Sequence, residues 1–124
     1  MSTNLKIAIA EPSVIIRSGL ENQLKRLPGF RIQMVEIHSV ESLFDSLRMH
    51  KPDVLIVNPA LPGYFTLQHL KEESGCAEMK CIALLYSVSD SVLLRSYDEQ
   101  INIYDSPDEI KHKLERLNAE VLPD

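Results

Sequence analysis

Four side chains that could take part in chemistry stand at or just after the end of short apolar runs. They are one acid, one amide and two phenols: Glu11, Asn58, Tyr86 and Tyr104. An ionised carboxylate can act as a base or a nucleophile, whereas a carboxamide is neutral and a poor nucleophile. No nucleophile–base pair stands out in this set. An enzyme is therefore the least favoured function class, and we assign no catalytic residue.

The apolar runs themselves predict buried β-strands. The run Val54–Val57 is apolar throughout and lies between a Lys-Pro-Asp turn and Asn58. A strand that is apolar on both faces is typical of the centre of a parallel sheet with helices on both sides. Four further strands are predicted at 6–10, 30–37, 81–86 and 101–104. The strand at 30–37 only partly alternates, which suits an edge position.

Segments with helical periodicity separate these strands. Apolar residues recur at intervals of three and four in the segment after each strand, which predicts five helices, the fourth at about 90–97. Ser39 suits an N-cap, and Ser106-Pro107-Asp108-Glu109 is a capping-box pattern at the start of the fifth helix. The alternation of strands and helices predicts an α/β domain with a parallel, doubly wound sheet.

The same alternation brings the polar side chains to one edge. In open parallel sheets, ligands bind at the carboxyl ends of the strands, where the strand order reverses. With the order 2-1-3-4-5, that point lies between the first and third strands. The residue pairs expected around one crevice are Glu11-Pro12, Asn58-Pro59, Tyr86-Ser87 and Tyr104-Asp105.

Length and composition predict one globular domain and argue against some function classes. The 124 residues are enough to bury a core, and we place the domain at 1–119, with 120–124 as a tail or the start of a linker. The net charge of -5 argues against a nucleic-acid surface, which is usually basic. No apolar run is long enough to span a membrane. Cys76 and Cys81 are expected to be free thiols, and we expect a cytoplasmic location.

Three segments together resemble the receiver domain of bacterial two-component response regulators, over nearly the whole chain. The family's opening strand, acidic pair and first helix resemble LKIAIAEPSVIIRSGL (5–20), in the version fused to helix-turn-helix transcription regulators. Its phosphorylation-site strand and following turn resemble KPDVLIVNPALPG (51–63), and the segment after its fifth strand resembles YDSPDEI (104–110). The resemblance implies a flavodoxin-like, doubly wound five-stranded parallel sheet of order 2-1-3-4-5 with five helices.

The reactive positions of the family are altered in this chain. The resemblance places the magnesium-binding acidic pair on Glu11 and Pro12, and the phospho-accepting aspartate on Asn58. Phosphoryl transfer to a side chain needs an ionised carboxylate, and Mg²⁺ prefers several anionic oxygens. An amide and a proline supply neither. We therefore expect no phosphorylation, no metal ligand set, weak or absent magnesium binding and no other cofactor.

The resemblance also places the family's switch positions. The strand-four hydroxyl falls on Tyr86, or on Ser87 if the alignment shifts by one, and the strand-five lysine falls on Tyr104. The two tyrosines either fill a crevice that no longer holds metal and phosphate, or act as a switch. Asn58 is either a strand-end amide that caps a loop, or an anchor for a ligand or a fixed mimic of one signalling state. Glu11 is either a solvated or locally hydrogen-bonded acid, which is the favoured interpretation, or a metal ligand.

These inferences favour an atypical receiver, or pseudo-receiver, in signal transduction and transcription regulation. We expect it to act through protein partners, including a homodimer formed by the predicted fourth helix, fifth strand and fifth helix. DNA would be bound only by a separate C-terminal domain, and no membrane contact is expected. The alternative is a flavodoxin-like regulatory domain that binds a small molecule in the same crevice.

Overall fold

A computed structural model describes residues 3–59, 66–86 and 96–121 of the chain, without the side chains of 118–121. The described residues form five strands and four helices. In chain order these are β1 (Thr3–Ala10), α1 (Val14–Lys25), β2 (Phe30–Ile37), α2 (Val40–His50), β3 (Val54–Val57), α3 (Leu67–Ser74), β4 (Lys80–Leu85), β5 (Glu99–Asn102) and α4 (Pro107–Val121).

The five strands form one parallel sheet in the order β2-β1-β3-β4-β5. This confirms the predicted order and places β2 at an edge, as its partial alternation indicated. β3 lies at the centre, and all four of its residues are buried. The run Val54–Val57 is apolar throughout because helices cover both faces of the sheet at this position.

Apolar side chains fill both sides of the sheet. On one side, Ile56 of β3 belongs to a cluster with Leu24 of α1 and Leu114 of α4. On the other side, Leu55 belongs to a cluster with Leu70 of α3 and buried residues of α2. Neighbouring residues of β3 enter opposite clusters because strand side chains alternate between the two faces. The predicted doubly wound α/β fold is confirmed, with α1 and α4 on one face and α2 and α3 on the other.

Side-chain caps fix the starts of the helices. The Ser39 hydroxyl accepts a hydrogen bond from a first-turn backbone N–H of α2, as predicted. Ser106 and Glu109 form the predicted capping box, in which each side chain accepts from the other's backbone N–H, at 3.2 and 3.0 Å. The Ser13 hydroxyl caps α1 in the same way. This cap fixes the short turn that leads from β1 into α1 at the carboxyl edge of the sheet.

The number of helices differs from the prediction. Five were predicted, and the described part of the chain holds four. Of the segment predicted as the fourth helix, residues 90–95 lie outside the described ranges. Ser96 and Tyr97 form a turn and a bend instead of a helix, because the chain enters β5 directly afterwards at Glu99. The predicted fifth helix is α4, which continues to Val121, two residues past the predicted domain boundary.

Cys76 and Cys81 are both free and both buried, which confirms the prediction of thiols over a disulfide. Burial raises the pKa of the Cys81 thiol to about 12, so this side chain behaves as a small apolar residue of the core. Within the described residues, no helix combines the length and the apolar character needed to cross a membrane.

Candidate functional site

Strand register places Glu11 and Asn58 side by side at the carboxyl edge of the sheet. Ala10 of β1 pairs with Val57 of β3, and each of the two site residues is the next along its chain. The backbone N–H of Asn58 donates to the Ala10 carbonyl at 3.1 Å, so the pairing continues one residue beyond β3. On the other side of β3, β4 ends one residue before Tyr86. Three of the predicted crevice residues therefore come from adjacent strands.

The Glu11 side chain is fully buried, and both of its carboxylate oxygens accept hydrogen bonds. Oε2 accepts from the backbone N–H of Ser13 at 2.7 Å, and Oε1 accepts from Nδ2 of Asn58 at 3.2 Å. Because an ionised carboxylate only accepts, the amide nitrogen of Asn58, not its oxygen, must face Glu11. These bonds offset the cost of burying the charge. Glu11 is thus the locally hydrogen-bonded acid of the two expected states, and not the solvated one.

The Tyr86 hydroxyl lies close enough to these two side chains for both of them to act on its pKa. Its partial burial, and then the hydrogen bond to Glu11 and the charge of that carboxylate, raise the pKa of Tyr86 to about 12. The phenol is therefore a neutral hydrogen-bond donor near neutral pH. We refer to these three residues as the Glu11–Asn58–Tyr86 cluster.

Three other residues that the resemblance assigned lie apart from this cluster or cannot be placed. Pro12 is exposed and carries no side-chain hydrogen-bonding atom. Tyr104 is 81% exposed, and its backbone N–H donates to the side chain of Asn102 at 2.9 Å, so Tyr104 does not fill the crevice. Ser87 lies outside the described residues. Of the two tyrosines, Tyr86 alone stands at the crevice.

Arg17 is a site residue whose role the sequence reasoning missed. Its side chain is buried, and one terminal nitrogen donates to the backbone carbonyl of Glu11 at 2.6 Å. Its Nε contacts Oε2 of Glu36 at 3.3 Å. A signal was present, because Arg17 shares a helical face with the core residues Leu20 and Leu24. A cation on the apolar face of a helix needs acceptors inside the fold.

Glu36, the residue of β2 that accepts from Arg17, belongs to a small group of carboxyl side chains. The pKa of Glu36 is lowered, first by a hydrogen bond from Glu21 and then by bonds from His38 and Arg17. The pKa of Glu21 is raised, first by burial and then by its bond to Glu36. The opposite directions of the two shifts mean that, as the pH falls, Glu21 takes up a proton before Glu36 does. Arg17 thereby links the carboxyl edge of β1 to the partly exposed edge strand β2.

The crevice residues do not match a magnesium site. Mg²⁺ requires hard oxygen ligands in near-octahedral geometry, usually from carboxylates. Both oxygens of Glu11 already accept hydrogen bonds, Asn58 turns a nitrogen towards them, and Pro12 has no side-chain oxygen. Across the described parts of the chain, no group of three or more His, Cys, Asp or Glu side chains could hold a metal ion.

The cluster can hold three strand ends together, and it offers little to a phosphate. It contains one anion and two neutral hydrogen-bonding side chains, so its net charge is negative. An incoming phosphoryl group is also an anion, and stabilising its transfer requires positive charge. The arrangement therefore favours a structural role for these side chains over a reactive one.

No protein-family model matches the sequence, and no curated protein matches it. Solved structures do match it over almost its whole length. A response regulator from Desulfuromonas acetoxidans is similar with a TM-score of 0.79 at 13% identity, covering 95% of this chain and 99% of that chain. A LuxR-family two-component response regulator from Aurantimonas sp. has a TM-score of 0.75 at 17% identity, with coverages of 95% and 87%.

The receiver domain of the response regulator AraT from Geobacillus stearothermophilus also has a TM-score of 0.75 at 17% identity. That alignment covers 94% of this chain and 95% of the receiver domain. Identities this low establish the fold and leave the chemistry to the residues of the site. The chain therefore has the fold of response regulator receiver domains.

Proposed function

We propose that this chain is a pseudo-receiver: a regulatory domain of signal transduction that is not phosphorylated and acts through contacts with other proteins. The receiver fold supports a role in signalling. The bond between Asn58 and Glu11 is the observation that carries the rest of the proposal, because it gives the phospho-acceptor position a different task.

The chemistry of position 58 explains why phosphorylation is not expected. An aspartate there would bring a second carboxylate to about the 3.2 Å that separates the Asn58 nitrogen from Glu11. Two carboxylates that close repel each other unless a cation or a proton lies between them. The Asn58 amide relieves this repulsion with a hydrogen bond, and in doing so it removes the nucleophile.

Positive charge near the end of β5 is also already paired. Lys113 of α4 contacts the Asp105 carboxylate at 2.6 Å, with only 19% and 12% of the two side chains exposed. Tyr104 stands at the position that the resemblance assigns to the family's lysine. Position 104 therefore carries an uncharged, solvent-exposed phenol where the family supplies an ammonium group.

Phosphorylation is tested directly by incubating the protein with acetyl phosphate and magnesium and measuring its intact mass. We expect no added phosphoryl group, and a stoichiometric gain of one would contradict the proposal. The matched variant is Asn58→Asp under the same conditions. A gain in that variant alone would identify Asn58 as the barrier, whereas no gain would show that Pro12 and Tyr104 are also barriers.

The proposed protein contact includes a homodimer through β5, α4 and the segment predicted as the fourth helix. Tyr104 offers an exposed aromatic ring directly between β5 and α4. Light scattering over a range of concentrations should detect a dimer, and Tyr104→Asp should weaken it at least tenfold. Met49→Asp is the matched control, since Met49 is equally exposed, at 78%, but lies on α2. A monomer at every concentration would contradict the homodimer.

The output of the signalling protein is a separate part of the proposal. Similar structures include the LuxR-family regulator and a receiver-modulated diguanylate cyclase from Pelobacter carbinolicus, so one fold accompanies different outputs. We favour transcription regulation through a separate C-terminal helix-turn-helix domain, on the resemblance carried by residues 5–20. The coding sequence downstream of Asp124 tests this proposal.

A small-molecule domain that uses the same crevice is less well supported. Both carboxylate oxygens of Glu11 already accept hydrogen bonds, one of them from Asn58, so a ligand would have to displace these bonds to use the carboxylate.

A further inference from the structure

A small apolar cavity lies between α1 and α4, and none of the three cluster residues lines it. Its volume is about 180 Å³, and its walls include Leu84 of β4, Ile101 of β5 and Ile110 of α4. Ile15 of α1 also lines it and is 83% exposed, which places this side chain at the opening. A cavity with apolar walls and an opening to solvent has the character of a ligand site.

Gly19 keeps one wall of this cavity open. It lies inside α1, where a glycine makes the helix less stable than an alanine would. Its φ is not in the left-handed region, so its backbone does not require glycine. A Cβ built at this position would meet no atom within 4 Å, so close packing does not require glycine either. The missing side chain leaves space in the cavity wall.

Gln23 also lines this cavity, and its side chain carries an unsatisfied polar atom. It lies one helical turn after Gly19. Its Oε1 is buried, and no group in the described residues donates a hydrogen bond to it. Because a buried acceptor without a donor is costly, a donor carried by a bound molecule would relieve this cost.

We propose that this cavity binds a small molecule with an apolar body about the size of one six-membered ring and one hydrogen-bond donor, such as a phenol or an alcohol. The donor would bond to Oε1 of Gln23 after a rotation of that side chain turns the buried oxygen towards the cavity, and the ring would pack on Leu84, Ile101 and Ile110. The size follows from the volume, since an engineered apolar cavity of roughly 150 Å³ binds benzene. This inference does not rest on the loss of phosphorylation.

A ligand in this cavity would contact strands that lead to other parts of the domain. Leu84 of β4 lies two residues before Tyr86, which directly follows this strand, and Asn102 lines the cavity at the end of β5. A ligand would thus contact both the strand that leads to the Glu11–Asn58–Tyr86 cluster and the strand that leads to α4. The site would provide an input signal in a receiver fold that lacks its phospho-acceptor.

Titration of the ¹⁵N-labelled protein with phenol, followed by NMR, tests the inference. We expect shifts centred on the amides of Ile15, Gly19 and Ile101, with a Kd on the order of 1 mM for a ligand of this size. Toluene lacks the donor and should bind about tenfold more weakly. Shifts centred on Glu11 and Asn58, or no saturable shifts with either compound, would overturn the inference.

Substitutions at two positions, Gln23 and Gly19, separate binding in the cavity from binding at other surfaces. Gln23→Met keeps the length of the side chain and removes the acceptor, so it should weaken phenol about tenfold and leave toluene unchanged. Gly19→Leu should fill the cavity and abolish the binding of both phenol and toluene. If Gly19→Leu does not fold, Gly19→Ala takes its place, because a Cβ at this position meets no other atom. Gly19→Ala should weaken the binding of both ligands at least threefold. Unchanged phenol binding in Gln23→Met and in the folded Gly19 variant would overturn the inference.

Discussion

The side-chain nitrogen of Asn58 donates a hydrogen bond of 3.2 Å to Oε1 of the buried Glu11 carboxylate, across 47 residues of chain. The two residues meet because β1 and β3 are neighbours in the sheet and end at the same level. An amide thus supplies a donor where a second acid would require a cation. The residue at the phospho-acceptor position serves here to satisfy a buried charge.

We expect Asn58→Asp to lower the free energy of unfolding by about 1–3 kcal/mol near pH 7.5, because it replaces a hydrogen bond with two facing carboxylates. The repulsion raises the pKa of one carboxyl above its unfolded value of roughly 4. The folded variant then binds that proton more tightly than the unfolded chain does. The loss should be small below that unfolded pKa and should grow as the pH rises through the raised pKa.

Urea denaturation of wild type and variant at the two ends of this pH range measures the effect. Asn58→Ala is the control, since it removes the donor without adding a charge and should lose less than Asn58→Asp near pH 7.5. If Asn58→Asp lost the same free energy of unfolding at both pH values, the two carboxylates would not face each other.

Tyr86 should keep its proton until the pH approaches 12, because burial and the Glu11 carboxylate disfavour the phenolate. Its folded pKa exceeds the unfolded value of about 10, so the stability it contributes is complete below that value. This contribution is lost as the pH rises through the folded pKa. Glu11→Gln removes the charge and should lower the Tyr86 pKa, while the effect of burial remains.

NMR titration of ¹³C-labelled tyrosine rings reports this pKa directly, and Tyr86→Phe assigns the signal. The result is the difference between the Tyr86 pKa in wild type and in Glu11→Gln. If Tyr86 titrated at the same pH in both proteins, the phenol would not be bonded to the carboxylate.

The strand and helix pattern could be predicted because it depends on local sequence. Val54–Val57 is apolar on both faces only because it is the central strand, and the capping box at Ser106 is complete within four residues. The segment at 90–97 was a weaker case. Its last residues, Ser96 and Tyr97, are not helical, because the chain turns directly into β5.

The side-chain partners within the site were harder to predict, because they depend on distant residues. The ends of the strands correctly predicted that Glu11, Asn58 and Tyr86 lie close together, but not that Tyr104 lies apart from them. Whether Glu11 is solvated or buried depends on the donors that other segments bring to it, including Asn58. Tyr104 follows a four-residue strand, and no sequence pattern indicated that its ring would face solvent.

Arg17→Lys should lower the free energy of unfolding by about 1–3 kcal/mol, since a lysine cannot reach two acceptors with the fixed fork of a guanidinium. The lost bonds are those to the Glu11 carbonyl at 2.6 Å and to Glu36 at 3.3 Å. Glu36→Gln is the matched control, because Glu36 is 42% exposed and its removal leaves the Glu11 bond in place. Equal losses in the two variants would assign the effect to the ion pair alone.

Two ion pairs join α4 to the region of β5, and they differ mainly in how far the cation is buried. Lys113 is 19% exposed and contacts Asp105 at 2.6 Å, whereas Arg116 is 63% exposed and contacts Glu99 at 2.7 Å. Asp105 also accepts from the backbone N–H of Asn102, so the first pair fixes the turn between β5 and α4.

We expect Lys113→Gln to lower the free energy of unfolding by about 1–2 kcal/mol, because it leaves a mostly buried carboxylate without its cation. Arg116→Gln should cost at most about 0.5 kcal/mol, because water screens an exposed guanidinium. Chemical denaturation in urea at low and high salt separates the two, since salt should weaken the contribution of Arg116 more than that of Lys113. A larger loss in Arg116→Gln would mean that β5 and α4 are held together at the outer pair, and that the turn after β5 is not fixed by Asp105.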